Sequence, residues 1–136
     1  FPSKKEAFKE AMSSGMDELG SDIAHFKSLY GENWWVEFAE FYTSQKGTSD
    51  LTESCALQAL TPEVVRLDED VRALFETELL KVVELASNKH DRDKAWSSLA
   101  ILTGGVTLAR AVKDENLSHE IADAIKNAVV SMCEIK

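Results

Sequence analysis

From Ala95 to Val112 the chain runs eighteen residues with a single charge, Arg110. A helix that is apolar or small on nearly every side has to be covered on nearly every side. That requirement constrains the fold more than any other feature. The length would suit a membrane span, but Ser97, Ser98, Thr103, Gly104, Gly105 and Thr107 hold the segment well below the hydropathy of one. The neighbouring segments are amphipathic, so a helix with no membrane around it fits better. In a chain of 136 residues, one face of this helix can meet the core while the other meets a second copy. Ala100, Gly104, Thr107 and Ala111 recur at helical spacing and form a seam of small residues that permits close approach. Ile121, Ile125, Ala128 and Val129 give the last helix an apolar side that can lie next to it. The expected assembly is a two-fold dimer joined by a four-helix interface, two helices from each copy. The simpler alternative makes Ala95–Val112 the central core helix of a monomer.

The rest of the sequence reads as helix throughout. Ser3 followed by Glu6 fits a capping box. Behind it Ala7, Phe8, Ala11 and Met12, then Met16, Leu19, Ile23, Phe26 and Leu29, recur at helical spacing as far as Gly31, which is expected to stop the helix. Gly15 and Gly20 are places where it could loosen or kink. Trp34, Trp35, Phe38, Phe41 and Tyr42 make one aromatic face of a second helix, and 45–50 reads as a loop. A short helix is expected over Glu53–Leu60. Thr61 then caps a restart at Pro62, and Asp68 caps a long helix with the stripe Val71, Leu74, Phe75, Leu79, Val82 and Ala86. Ser87–Asp91 and Asp114–Asn116 are polar connections, and the final helix starts near Ser118. No linker or repeat divides the chain, so residues 1–136 are expected to form one all-α, multi-helix domain.

Charge and cysteine usage narrow the function. Fifteen basic against twenty-four acidic residues leave a formal charge of −9, which argues against this chain holding nucleic acid by itself. Cys55 and Cys133 make neither a disulfide framework nor a zinc knuckle, and a reducing, cytoplasmic setting is expected. Asp22 and His25 share a helix face, like half of a carboxylate-bridged metal site, but no second such pair occurs on another helix. No phosphate-binding glycine loop and no nucleophile–His–carboxylate arrangement with supporting motifs is present, so the chain is not expected to be an enzyme and needs no cofactor or metal.

Three stretches in order along the chain resemble the TetR-type bacterial transcriptional regulators. Phe1–Phe8 resembles the end of that family's DNA-binding domain. Glu53–Leu60, followed by Glu63–Leu67, is similar to the Gly-Cys-Pro-Leu segment of one large subgroup, with Ser54 and Ala56 standing where the subgroup has Gly and Pro. Leu102–Val112, then Leu117 and Ser118, resembles the subgroup's penultimate helix and the turn after it.

The resemblance implies that this chain is the effector-binding and dimerisation domain of a small-molecule-responsive regulator, a repressor in the simplest case. On this resemblance the helix-turn-helix would lie outside the chain, with residues 1–5 as the tail of it. Operator DNA would be met only through that missing part, with Lys4 carrying over the family's phosphate contact. A hydrophobic effector would be walled by Met12, Met16, Trp34, Trp35, Phe38, Phe41, Leu60, Phe75 and Trp96, aromatic and thioether side chains that make adaptable apolar walls. Each of these could instead fill the core. Cys55, near a helix start, is a candidate redox or electrophile sensor, opposed by the nearby Glu53. The readings from other classes are a stand-alone helical dimer that binds no DNA and a carboxylate–metal helical enzyme.

Overall fold

A computed structural model describes residues 3–44, 56–87 and 92–133, and among these every regular element is helical. Helix α1 spans Lys4–Tyr30. The hydroxyl of Ser3 accepts from the Glu6 amide at 3.1 Å, the N-cap bond expected from the Ser–x–x–Glu pattern. Gly15 and Gly20 do not interrupt the helix. Gly31 ends it, and at φ 60° it is the one described residue in the left-handed region. A single 3-10 turn, Gly31–Asn33, leads into α2, Trp34–Thr43.

The chain resumes with α3, Ala56–Val64, which departs from the sequence expectation. There is no cap at Thr61 and no restart at Pro62; one helix runs through both. The Thr61 hydroxyl is buried without a hydrogen-bond partner, so it caps nothing. Leu60 packs on the core and Val64 is buried in it, and the anchoring of both sides of the proline keeps the helix going as far as Val64. Asp68 precedes α4, Glu69–Ala86, at the N-cap position with extended backbone, but its carboxylate makes no capping bond. It is held instead by the ammonium of Lys5 at 3.1 Å. Helices α5, Arg92–Ala111, and α6, Glu115–Cys133, complete the fold. The Asp114 carboxylate accepts from the Leu117 amide at 2.8 Å and starts α6 three residues earlier than the sequence pattern suggests.

The core lies where α1, α2, α4 and α5 converge. Met12, Met16 and Ile23 of α1 meet Phe38 of α2, Val71 and Val83 of α4, and Leu102 and Val106 of α5, all at 1% exposure or less. Burial of side chains of this size contributes about 1.5–3 kcal/mol each. Phe38 is the hub of an aromatic cluster, with ring centroids of Phe26, Trp34, Trp35 and Tyr42 at 5.5, 5.8, 6.1 and 5.6 Å. Such pairs add to the area they bury.

Helices α5 and α6 lie side by side. The contact is close because α5 has no side chain at Gly105: a Cβ there would overlap Ile125 Cδ1 and Cγ1 and stand 3.0 Å from Cγ2. The Ser118 hydroxyl donates to the Ala109 carbonyl at 2.8 Å and locks the start of α6 to the end of α5.

Ser98 sits in this interior at 0% exposure, and its hydroxyl has no hydrogen-bond partner. A desolvated, unbonded hydroxyl is a net cost. Ser98→Ala is therefore expected to raise stability by about 1 kcal/mol, read as a higher urea midpoint at unchanged slope. A lower midpoint would show that the hydroxyl is bonded.

Candidate functional site

The nine residues expected to wall an effector cavity fall into three groups. Met12, Met16, Trp34, Trp35 and Phe38 are buried and packed against one another and the rest of the core. Leu60 and Phe75 pack at its edge. Phe41 and Trp96 stand at the surface, 45% and 37% exposed. Trp34 and Trp35 stack on each other with centroids 4.3 Å apart, so the faces these rings turn to one another are already occupied.

Of the nine, Met16 alone lines the groove that runs along the outside of the α1–α4 seam. This open groove of about 320 Å³ is bounded by Met16, Gly20 and Ala24 on α1 and by Val82 and Leu85 on α4, with Asp17, Ser21, Glu78 and Lys81 as its polar groups. Gly20 sets its depth: a Cβ there would stand 3.0 Å from Leu85 Cδ1. Glu78 is 7% exposed, and the Lys81 ammonium, 3.5 Å from its Oε2, is its ion-pair partner. Neither residue was expected at a site. The signal was there to read, because Glu78 interrupts the apolar stripe of α4 between Phe75 and Val82.

The residues expected at a dimer interface also divide. Ala100, Gly104, Thr107 and Ala111 are all exposed on one side of α5, and around Gly104 a Cβ would meet nothing within 4 Å. Leu108, 61% exposed, and Trp96 lie on the same helix. On α6, Ala128 is exposed and Ile121 half-buried. Two of these residues face their own chain. Val129 is fully buried within the chain, and Ile125 is turned into the Gly105 notch of its own α5. Both belong to intrachain packing, because the glycine draws α6 in with that side facing α5. The open stripe of α6 is Leu117, Ile121, Ala124 and Ala128, and it carries no charge.

The lower end of α1 is tied to the start of α4 by ion pairs. The Lys5 ammonium lies 3.1 Å from Asp68 and 2.9 Å from Asp70, and that of Lys9 lies 2.9 Å from Asp70. Hydrogen bonds from Lys5 and Lys9 hold the Asp70 carboxyl down to about 2, against 3.8 for a free aspartate. The same pairs raise Lys5 above its ordinary value. Because the folded carboxyl titrates lower than the unfolded one, its contribution is complete above pH 3.8 and is lost as the pH falls towards 2. These groups are exposed, so the tie is expected to weaken with salt as well. Carboxyl-carbon NMR is expected to find Asp70 titrating near 2; a midpoint near 3.8 would show that the pairs do not persist in solution.

Lys4 is exposed on the first turn of α1. Cys55 lies outside the described residues. Asp22 and His25 are both exposed; partial burial, reinforced by Glu18 and opposed by His25, raises the Asp22 carboxyl above its ordinary value. Among the described residues no three of His, Cys, Asp and Glu gather where they could hold a metal ion, and no helix is long and apolar enough to cross a membrane. No protein-family model and no curated protein matches this sequence.

Proposed function

We propose that this chain is the effector-binding and dimerisation domain of a small-molecule-responsive transcriptional regulator of TetR type. The observation that carries the reading is the outer side of α5, uncharged beyond its first turn, where Trp96, Ala100, Gly104, Thr107, Leu108 and Ala111 are open to solvent while the opposite side fills the core. An apolar patch that runs along most of a helix marks an interaction surface. Small residues along its middle suit it to another helix, and the same stripe on a second copy is the partner of matching shape. The uncharged Leu117–Ala128 side of α6 would add the second helix from each copy.

In this reading α1 is the lever. It spans the domain from the Lys5–Asp70 tie to Gly31 and takes part in the core, the aromatic cluster and the α4 seam. A ligand that favours one position of α1 would move its N-terminal end, and with it any DNA-reading heads attached at Phe1. It can do so only if it binds the two positions unequally. The acidic charge of −9 accords with a sensor part whose DNA contacts lie elsewhere.

The coding sequence upstream of Phe1 tests the regulator assignment. The expected result is about three helices with a helix-turn-helix pattern and an excess of Lys and Arg. A start codon directly before Phe1 would contradict it and leave a free-standing helical module.

A further inference from the structure

We infer that the α1–α4 groove is a binding site for a small hydrophobic cation, with Glu78 as the acid that selects it. The inference deepens the effector-binding reading given above and rests on it for its biological meaning. It differs from the expected aromatic cavity in both place and chemistry.

The groove has an apolar floor and walls made by Met16, Gly20, Val82 and Leu85, so an alkyl or aromatic group gains by entering. Its polar groups are two carboxylates, Asp17 and Glu78, one ammonium, Lys81, and the Ser21 hydroxyl. The lining is therefore net acidic. Glu78 is the distinctive member. A carboxylate at 7% exposure on an apolar helix stripe has lost most of its water, a loss worth making only for a strong partner. The partner it has is weak. Lys81 reaches it at 3.5 Å from one turn along the same helix, and its own side chain is 63% exposed. A pair between residues three apart on one helix, with its ammonium in solvent, contributes little and opens readily.

A ligand ammonium entering over the apolar floor would meet the carboxylate in a drier setting than Lys81 does, and it would release Lys81 to solvent. A charge-assisted hydrogen bond formed there is worth more than the pair it replaces, whose ammonium stands in solvent. The position also couples to α1. The groove spans two turns of the lever helix and two of α4, so an occupant bridges the elements that the Lys5–Asp70 tie joins further down.

The test is an NMR titration of the chain at neutral pH and low salt with three probes of one shape: 2-phenylethylamine, 2-phenylethanol and 3-phenylpropionate. The expected result is saturable shifts centred on the Gly20, Ser21, Glu78 and Leu85 amides. The amine should bind roughly tenfold more tightly than the alcohol, and the acid most weakly. Glu78→Gln should abolish the preference for the amine over the alcohol. Lys81→Gln, at an exposed position, should tighten amine binding, and it decides the matter if the Glu78 variant does not fold. Equal binding of amine and alcohol, preference for the acid, shifts centred elsewhere, or no binding by any probe would overturn the assignment. Light-scattering masses of the same samples report the assembly separately. A monomer that selects the amine keeps the site and loses the dimer; a dimer that ignores it does the reverse.

Discussion

Gly105→Ala is expected to destabilise the fold, and Gly104→Ala, one residue away, to stabilise it. Both replace glycine within α5, so both gain up to about 1 kcal/mol of helix propensity. At Gly104 nothing in the same chain stands within 4 Å of the new methyl group, so for the unpaired protomer that gain is the whole effect. At Gly105 the methyl group overlaps Ile125 Cδ1 and Cγ1, so the entire isoleucine, and the turn of α6 that carries it, has to move. Overpacking of this kind costs about 1–3 kcal/mol, and here it also loosens the α5–α6 seam. Urea unfolding of the two variants, at concentrations too low for pairing, should give midpoints on opposite sides of the wild type. Ile125→Ala should rescue Gly105→Ala in the double variant, since each alone spoils one half of the same contact. Two midpoints shifted the same way would mean that α6 does not sit in the Gly105 notch.

Thr107→Arg is expected to dissociate the protein while leaving the protomer folded. Thr107 is exposed, and its hydroxyl donates only to the Thr103 carbonyl of its own helix, at 2.7 Å. Surface changes of this sort move the stability of a chain by about 0.5 kcal/mol or less. In a two-fold assembly closed by α5, the same substitution enters twice and places two uncompensated guanidinium groups in an apolar contact, which costs several kcal/mol of association. Asp123→Arg, on the exposed charged side of α6 away from that stripe, is the control and should leave the mass unchanged. A Thr107→Arg protein with the mass of the wild type would place any assembly on another surface.

The helices were legible in the sequence because their punctuation is chemical. Ser3, Gly31 and the Trp34–Tyr42 spacing each act within one or two turns, and the structure follows them. The departures come from longer range. Asp68 has the residue type and backbone of a cap, but Lys5, sixty-three positions away, takes its carboxylate. Pro62 has the form of a helix start, yet Leu60, packed on the core, and the buried Val64 carry the helix through it. Two adjacent glycines look alike in a sequence; only the approach of α6 makes Gly105 a notch and leaves Gly104 an open surface. Val129 and Ile125 carried the right apolar character for an interface, and that same notch turns them inward instead. The groove was legible in one respect, the carboxylate of Glu78 on an apolar stripe, but its depth depends on the Gly20–Leu85 approach, which joins residues on separate helices.

The mass in solution tests the central claim, a sensor domain that pairs through the outer side of α5, most directly. Light scattering of the unmodified chain at micromolar concentration is expected to give about 30 kDa, twice the 15.1 kDa of one chain. A mass of 15.1 kDa that stays constant as the concentration rises would contradict it.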